Sequence, residues 1–535
     1  MLVVAGLLTG LLLGALDQTI VATAGPTIIS DLGGLSAYAW VFSAYILTQT
    51  VSMPIFAKLS DLYGRRRFLV LGTLIFMGGS VLSGAAQDIN QLILFRAIQG
   101  IGSGAFFPIA IAVAGVVFPP AQRGRIQGVF ASVFGLSAVL GPSAGSYLVQ
   151  ALSWRWIFYV NLPLGIVSVA LISFALKESR DSGSRPMVDW LGVSTLTVWI
   201  TLLMLGFLSG GSTFPWYSWQ EASLFAGAAG FFAAFLVAER RTQEPVMPLS
   251  LFRIRTISSA ATVSFLTGIA MYAVISYVPL LVQAGLGGSI DDGRNVLYAM
   301  MLPLVAGAIL GGQLSTRSVG YRPLLTFGLV VMTGGLFLLT TVGPTTSLAQ
   351  LMECGAVMGF GIGVTFPVSI LAIQYSVSRR MIGVASSVGT FARNLGGTIG
   401  LSVLGAIQVN AFANQLTSLV AKVPVEYQAQ AAATFGNSNL IGQMLSSPTA
   451  LAQAEAANPQ IAQFIPALRT AFAQSLSPLF VAGLAFGVAS IFAGILVSGS
   501  FRQQVAAREE LHAKEEHEAL GGAAQLPPDM IRSEE

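Results

Sequence analysis

Charge is what this sequence has least of: Asp, Glu, Lys and Arg make up 9% of its 535 residues, against roughly one quarter in a soluble globular chain. That scarcity excludes an ordinary water-soluble domain, and the 54% of hydrophobic residues says what replaces the missing charge. Cysteine is nearly absent too. Cys354 is the single one, so neither an intrachain disulfide nor a cysteine metal cluster can form, and it reads as inert packing. Both histidines, His512 and His517, lie in the C-terminal tail, which removes intramembrane imidazole chemistry. No P-loop, zinc-ligand cluster or nucleophile elbow is found, so no cofactor and no metal is expected and the chain does not read as an enzyme.

What the sequence does contain is long apolar runs. A helix crossing ~30 Å of hydrocarbon needs ~20 mostly apolar residues. Fourteen such runs recur, at about 2–24, 37–57, 67–87, 90–117, 124–149, 156–176, 189–210, 220–238, 256–284, 295–315, 323–342, 347–373, 382–407 and 476–500. The first lacks a basic leading segment and is too long for a cleaved signal, so it is expected to be a membrane helix. The net charge of +4 is explained by topology rather than by nucleic acid. With both termini in the cytoplasm, 21 of the 27 Lys and Arg fall in cytoplasmic segments. Four (Arg155, Arg294, Lys422, Arg469) fall outside and two (Arg96, Arg393) within helices, as the positive-inside rule expects. The reading is a multi-pass protein of the inner (plasma) membrane, with the lipid bilayer as its surroundings.

A polar stretch from Lys177 to Pro186 follows the sixth run, and a second cytoplasmic linker, Glu239 to Thr256, follows the eighth. The expected division is 1–176, a six-helix bundle; 177–255, a linker carrying two additional helices; 256–500, a second six-helix bundle with a partly helical outer loop at 408–475; and a charged tail, 501–535. An internal echo supports duplication: Ala57-Lys-Leu-Ser-Asp-Leu-Tyr-Gly-Arg65 follows the second run and Gly312-Gln-Leu-Ser-Thr-Arg-Ser-Val-Gly-Tyr-Arg322 the tenth.

Four motifs stand out. Leu16-Asp-Gln-Thr-Ile-Val-Ala-Thr-Ala-Gly-Pro26 places Asp17 inside the first helix, where an ionised carboxylate is costly and so marks function. In the loop Ala57 to Arg67, Asp61 precedes Gly64, Arg65 and Arg66; Gly64 can supply a tight turn, and the acid can pair with a basic group or helix end to latch the cytoplasmic face. Leu94-Phe-Arg-Ala-Ile-Gln-Gly-Ile-Gly-Ser-Gly104 buries Arg96 beside a glycine-lined face suited to close helix packing. An arginine there stays charged and can hold a nearby acid ionised. Gly135-Leu-Ser-Ala-Val-Leu-Gly-Pro-Ser-Ala-Gly145 combines Gly135, Gly141 and Gly145 with Pro142, which removes a backbone donor, and reads as a kinked, close-packed hinge.

These segments resemble the major facilitator superfamily, in particular its fourteen-helix drug:proton antiporter branch, over nearly the whole chain. Ala57 to Leu69 is similar to the family's cytoplasmic-loop motif with Ala57 in place of its opening glycine, and Leu92 to Gly104 to its helix 4 arginine motif. Gly135 to Tyr147 is similar to the antiporter motif, with Ser146 where a second glycine is usual. The Asp17 segment and Trp154-Arg-Trp-Ile-Phe-Tyr-Val-Asn-Leu-Pro-Leu-Gly165 resemble signatures of the branch. The resemblance implies an all-α integral membrane fold of two six-helix bundles plus two extra helices around a central cavity. It further implies alternating access that couples proton entry to export of hydrophobic or cationic drug-like compounds, by a monomer whose partners are a small-molecule substrate and protons.

The ionisable residues embedded in the runs are Asp17, Arg96, Glu353 and Arg393, with Glu221 near the outer edge of the eighth. Asp17 lies ~22 Å from the cytoplasmic start of its helix, and Arg96 and Glu353 lie ~9 Å from the outer starts of theirs. All three therefore share the outer half and could couple to protons, with Asp17 as the main carrier. Glu353 reads equally as a second carrier, a contact for a cationic substrate or a solvated residue at the mouth; Arg393 serves coupling, substrate or structure. Phe106, Phe107, Met271, Tyr272, Tyr277 and Phe366 suit a greasy cavity and suit ordinary packing as well. Within transport, export of a lipid or endogenous metabolite and proton-coupled uptake remain as alternatives.

Overall fold

The computed structural model describes residues 2–32, 38–176, 188–210, 214–242, 244–315, 320–378, 381–421, 445 and 464–497. Among them the backbone is helical almost throughout, with one isolated bridge between Gly210 and Phe214. Helix is what an apolar chain must adopt in lipid, because it satisfies backbone N–H and C=O groups within one segment. Fourteen helices are long and apolar enough to cross a bilayer: α1 (Leu2–Val21), α2 (Trp40–Tyr63), α3 (Arg65–Ala85), α4 (Ile89–Val117), α5 (Gln122–Ala151), α6 (Trp156–Ala175), α7 (Trp190–Ser209), α8 (Trp219–Arg241), α9 (Arg255–Gly285), α10 (Asp291–Ser315), α11 (Tyr321–Thr340), α12 (Leu348–Gln374), α13 (Ile382–Val420) and α14 (Ile465–Ile495). They agree in number and order with the fourteen apolar runs of the sequence.

Packing divides these helices into two sets and a hairpin. In the first half α1 lies against α5 and α6, and α4 against α2 and α3; in the second, α9 lies against α13 and α14, and α12 against α10 and α11. The halves meet where α5 runs along α10 and where α2 and α4 run along α13, while α7 and α8 pair with each other and α7 touches both α2 and α13. Close approach at the α5–α10 seam depends on the missing side chain of Gly128, where a Cβ would stand 2.7 Å from the Ala308 carbonyl oxygen. The sequence echo has a backbone counterpart: Gly64, at φ 109°, opens α3, and Gly320, at φ 78°, opens α11. Only glycine adopts such angles at little steric cost.

Helix α13 continues past 407 to Val420 and α14 begins at Ile465, ahead of 476, so both ends of the segment 408–475 are helical and continuous with spanning helices. Thirty-nine residues make α13 ~58 Å long, well beyond the hydrocarbon thickness. Its polar residues there have protein partners: Gln408 Nε2 donates to Ser475 Oγ at 3.2 Å, and the Phe412 and Phe472 rings meet edge-on at 5.0 Å. The linker Lys177 to Pro186, most of 422–463, the residues 316–319 of the echo and the tail with His512 and His517 lie outside the described residues.

Candidate functional site

Asp17 and Arg96, placed on different helices by the sequence, form one buried ion pair. Arg96 Nη1 on α4 donates to Asp17 Oδ2 on α1 at 2.5 Å, and both residues are fully buried. The other carboxylate oxygen, Oδ1, accepts from Gln99 Nε2 at 2.8 Å and from Asn161 Nδ2 on α6 at 2.9 Å. Ser80 Oγ on α3 accepts from both of those amides, at 2.8 and 2.9 Å. Arg96 is further held by Gln99 Oε1 at 2.7 Å, by the Val41 carbonyl at 3.4 Å and by the face of Tyr45, 4.1 Å below its Cζ. A buried pair survives loss of hydration only when its remaining lone pairs and protons find such partners. The carboxylate of α1 is therefore bonded from α4 and α6, with Ser80 of α3 anchoring both amides and α2 supporting Arg96.

The network adjoins the glycine-rich motif on α5. One half-turn beyond Asp17, Thr19 Oγ1 donates to the Ser137 carbonyl at 3.0 Å, and the place of a Cβ on Gly141 is filled by Thr19, that of Gly135 by Val305 of α10. Two residues beyond Ser137, the same helix accepts at the Val139 carbonyl from the Tyr298 hydroxyl of α10, at 3.1 Å. Gly145 is buried, and Pro142 sits inside a helix that runs unbroken from Pro120 to Ala151. The motif thus touches the acid-bearing helix on one face and the opposite half on the other.

At the other end of α2, Asp61 bonds both a basic side chain and a helix start. Its Oδ1 accepts from Arg65 Nη2 and Nε at 2.8 and 3.2 Å, and its Oδ2 accepts from the backbone N–H of Val384, at the start of α13, at 3.2 Å. An anion at a helix N-terminus meets unpaired N–H groups and the positive end of the helix dipole. Arg65 also donates to the Ala112 carbonyl at 3.0 Å; Arg66 is half-buried. Two further ties were not foreseen. Lys58 bonds Glu244 of the second linker at 2.7 Å, and buried Glu239 accepts from the N–H groups of Val246 and Met247 at 3.1 and 3.2 Å.

The remaining candidates separate. Glu353 is exposed on α12 and takes no part in the Asp17 cluster, so its shared depth does not translate into contact. Arg393 on α13 is buried, with Phe366 of α12 stacked 3.7 Å from its Cζ. Phe366 lies 6.4 Å from Phe134 of α5, which in turn lies 4.8 Å from Phe107. Tyr272 packs over Gly397, while Tyr277 bonds the Leu401 carbonyl at 3.3 Å. Phe106 belongs to the core of the first half, against Phe76 at 5.3 Å, and Met271 to that of the second. Glu221, fully buried, accepts from Ser209 at 2.6 Å inside the α7–α8 hairpin.

A family model for the Major Facilitator Superfamily matches residues 7–401. The chain belongs to that superfamily. Among its relatives, the multidrug transporter protein MdtP of Bacillus subtilis is 37% identical over 500 residues, covering 92% of each chain. Multidrug resistance protein 3 of the same organism is 40% identical over 414 residues, 77% of this chain and 80% of that one. In structure the chain resembles the human organic anion transporter MFSD10 with a TM-score of 0.58, over 91% of this chain and 99% of that one; at 14% identity the likeness concerns the fold alone.

As a Major Facilitator Superfamily transporter, the chain places its motif residues at three stations: the Asp17–Arg96 pair, the α5 seam and the contacts of Asp61 with Arg65 and Val384. Sequence reasoning missed Ser80, Gln99 and Asn161, which complete the first station. Gln99 lies one turn beyond Arg96 in the arginine motif and Asn161 within the Trp154 to Gly165 signature, so the segments had been noticed and the amides had not.

Proposed function

We propose that this transporter is a proton-coupled antiporter that exports drug-like molecules across the cytoplasmic membrane by alternating access, as a monomer with both termini in the cytoplasm. The observation that carries the reading is Asp17, an embedded carboxylate whose charge is matched by a single arginine and whose oxygens accept from side chains of α4 and α6. A proton on Asp17 cancels the charge that Arg96 faces and converts an acceptor into a donor, which unsettles every bond of the network. Thr19 hands that change to α5, and α5 borders α10 across the seam. A proton that favours one arrangement of the halves and a substrate that favours the other then exchange through one equilibrium.

Residues 1–176 and 256–500 act in this scheme as the two rocking bodies, with 177–255 as the linker and its helix pair. Asp61 latches the cytoplasmic side by binding the start of α13, and its release accompanies opening toward the cytoplasm. The names of the relatives support drug-like substrates, and the likeness of Gly135 to Gly145 to the antiporter motif supports export over uptake. Glu353, exposed on α12, stands outside the scheme. In everted vesicles, an imposed pH gradient should drive dye accumulation by the wild type, a protonophore should abolish it, and Asp17→Asn should remove the response. Gradient-driven accumulation by Asp17→Asn equal to that of wild type would sink the proposal.

A further inference from the structure

Arg393 lies eleven residues into α13, ~17 Å from its start, and therefore near the middle of the membrane. It is 6% exposed. Among the described residues no hydrogen bond and no ion pair reaches its guanidinium; the Phe366 ring stacks on it, and Tyr272 of α9 packs one turn further along, over Gly397. Arg96 sets the contrast: fully buried, it meets Asp17, Gln99, the Val41 carbonyl and the Tyr45 ring. An arginine remains charged and carries five N–H donors in a planar fork. A ring face offsets only part of the cost of burying that charge.

Its location gives the deficit a meaning. The next residue, Asn394, reaches Met53 Sδ of α2 at 3.7 Å, and Phe366 connects through Phe134 to α5, so Arg393 stands at the boundary of the two halves. The embedded acids are engaged elsewhere: Asp17 with Arg96, Glu221 with Ser209 in the hairpin, and Glu353 at an exposed position. Among the described residues, Arg393 thus places at the boundary of the two halves a buried positive charge that no acid faces.

We propose that Arg393 is the substrate-binding cation and that the transported compounds are amphipathic aromatic anions, a carboxylate or sulfonate carried on a planar ring system. The guanidinium fork can donate to two oxygens side by side, while Phe366, stacked on Arg393, and its neighbour Phe134 supply aromatic surface for the apolar part. A cationic compound would bring like charge to this point in a medium of low dielectric. The proposal rests on the drug-export reading and replaces its expectation of cationic substrates.

The test is binding to the purified full-length protein, followed by fluorescence polarisation, with carboxyfluorescein as the anionic probe and ethidium as the cationic one. Wild type should bind carboxyfluorescein about tenfold more tightly than ethidium, and Arg393→Gln should lose about tenfold or more of that affinity without weakening ethidium. Preference of wild type for ethidium, or unchanged carboxyfluorescein binding by Arg393→Gln, overturns the proposal. Should Arg393→Gln not fold, as judged by gel filtration and melting, Arg393→Lys carries the test. It keeps the charge but not the fork, and should lose roughly threefold or more; no loss overturns the proposal. Carboxyfluorescein binding that depends on Arg393, without gradient-driven transport in vesicles, would instead refute antiport and leave the anion site standing.

Discussion

Asp17→Asn and Arg96→Gln, singly and together, measure how much of the first half rests on one ion pair. Asparagine at 17 keeps one oxygen for Gln99 and Asn161, whose bonds are 2.8 and 2.9 Å, but leaves the Arg96 charge buried and unmatched. Glutamine at 96 leaves the carboxylate in the same condition. Removing one member of a buried pair costs about 3–5 kcal/mol, because the survivor is an uncompensated charge. The double variant places two neutral amides opposite each other, so it should be about 3–5 kcal/mol less destabilised than the sum of the singles. Thermal melting of the four detergent-purified proteins reads that difference as a double variant no less stable than the worse single. Single effects that add to within about 0.5 kcal/mol would show that the two side chains do not interact in the populated state and would refute the reasoning. Transport separates stability from coupling: the double variant should regain melting temperature yet remain unresponsive to a pH gradient, since no titratable group has returned.

Two other perturbations reach different stations. Asp61→Asn should weaken closure of the cytoplasmic face by about 1–2 kcal/mol, since it discards the Arg65 pair and the charge on the Val384 N–H. In a Cys354→Ser background, labelling of Ser387→Cys, at a position 1% exposed on α13, by an impermeant maleimide in everted vesicles should rise several-fold; an unchanged rate would remove the latch role. At the opposite end, the Arg155 guanidinium, and then the Trp154 N–H, bonded to Asp31 at 2.9 and 2.8 Å, hold its carboxyl below the ordinary value of 3.8. A depressed value contributes stability above the unfolded one and loses it as pH falls through the folded one. The melting advantage of wild type over Asp31→Asn should therefore persist near neutral pH and vanish in acid below 3.8; an advantage that grows in acid would reverse the sign and refute the assignment.

The sequence disclosed the fold well because lipid leaves so few solutions: a run of apolar residues of spanning length has little choice but helix. It disclosed the end of α13 poorly, because Gln408, Asn410 and Asn414 lower the apolar signal without ending the helix; the partner that accommodates them, around Phe472 and Ser475, is distant in the chain. Charges declared themselves through their cost, which is why Asp17 and Arg96 were legible. Depth along a helix fixes one coordinate and leaves the direction round the axis open. Arg96 points into the first half, while Glu353, at matching depth, lies on a helix of the second half and is exposed. Neutral amides carry no such marker, so Gln99 and Asn161 became visible only through the atoms they bond.

The position of α7 gives the molecule a sidedness within the plane of the bilayer. By touching both α2 and α13 it roofs one of the two seams between the halves, and Leu47, Val51, Leu196, Ile200, Met204, Val384 and Val388 join there in one apolar cluster. Along α5 and α10 the halves meet directly. An amphiphile diffusing within a leaflet thus encounters two unlike flanks, one sealed by an accessory helix and one bounded by the transporting bundles alone. Entry past α7 would have to displace that helix, whereas entry between α5 and α10 would part only the two halves.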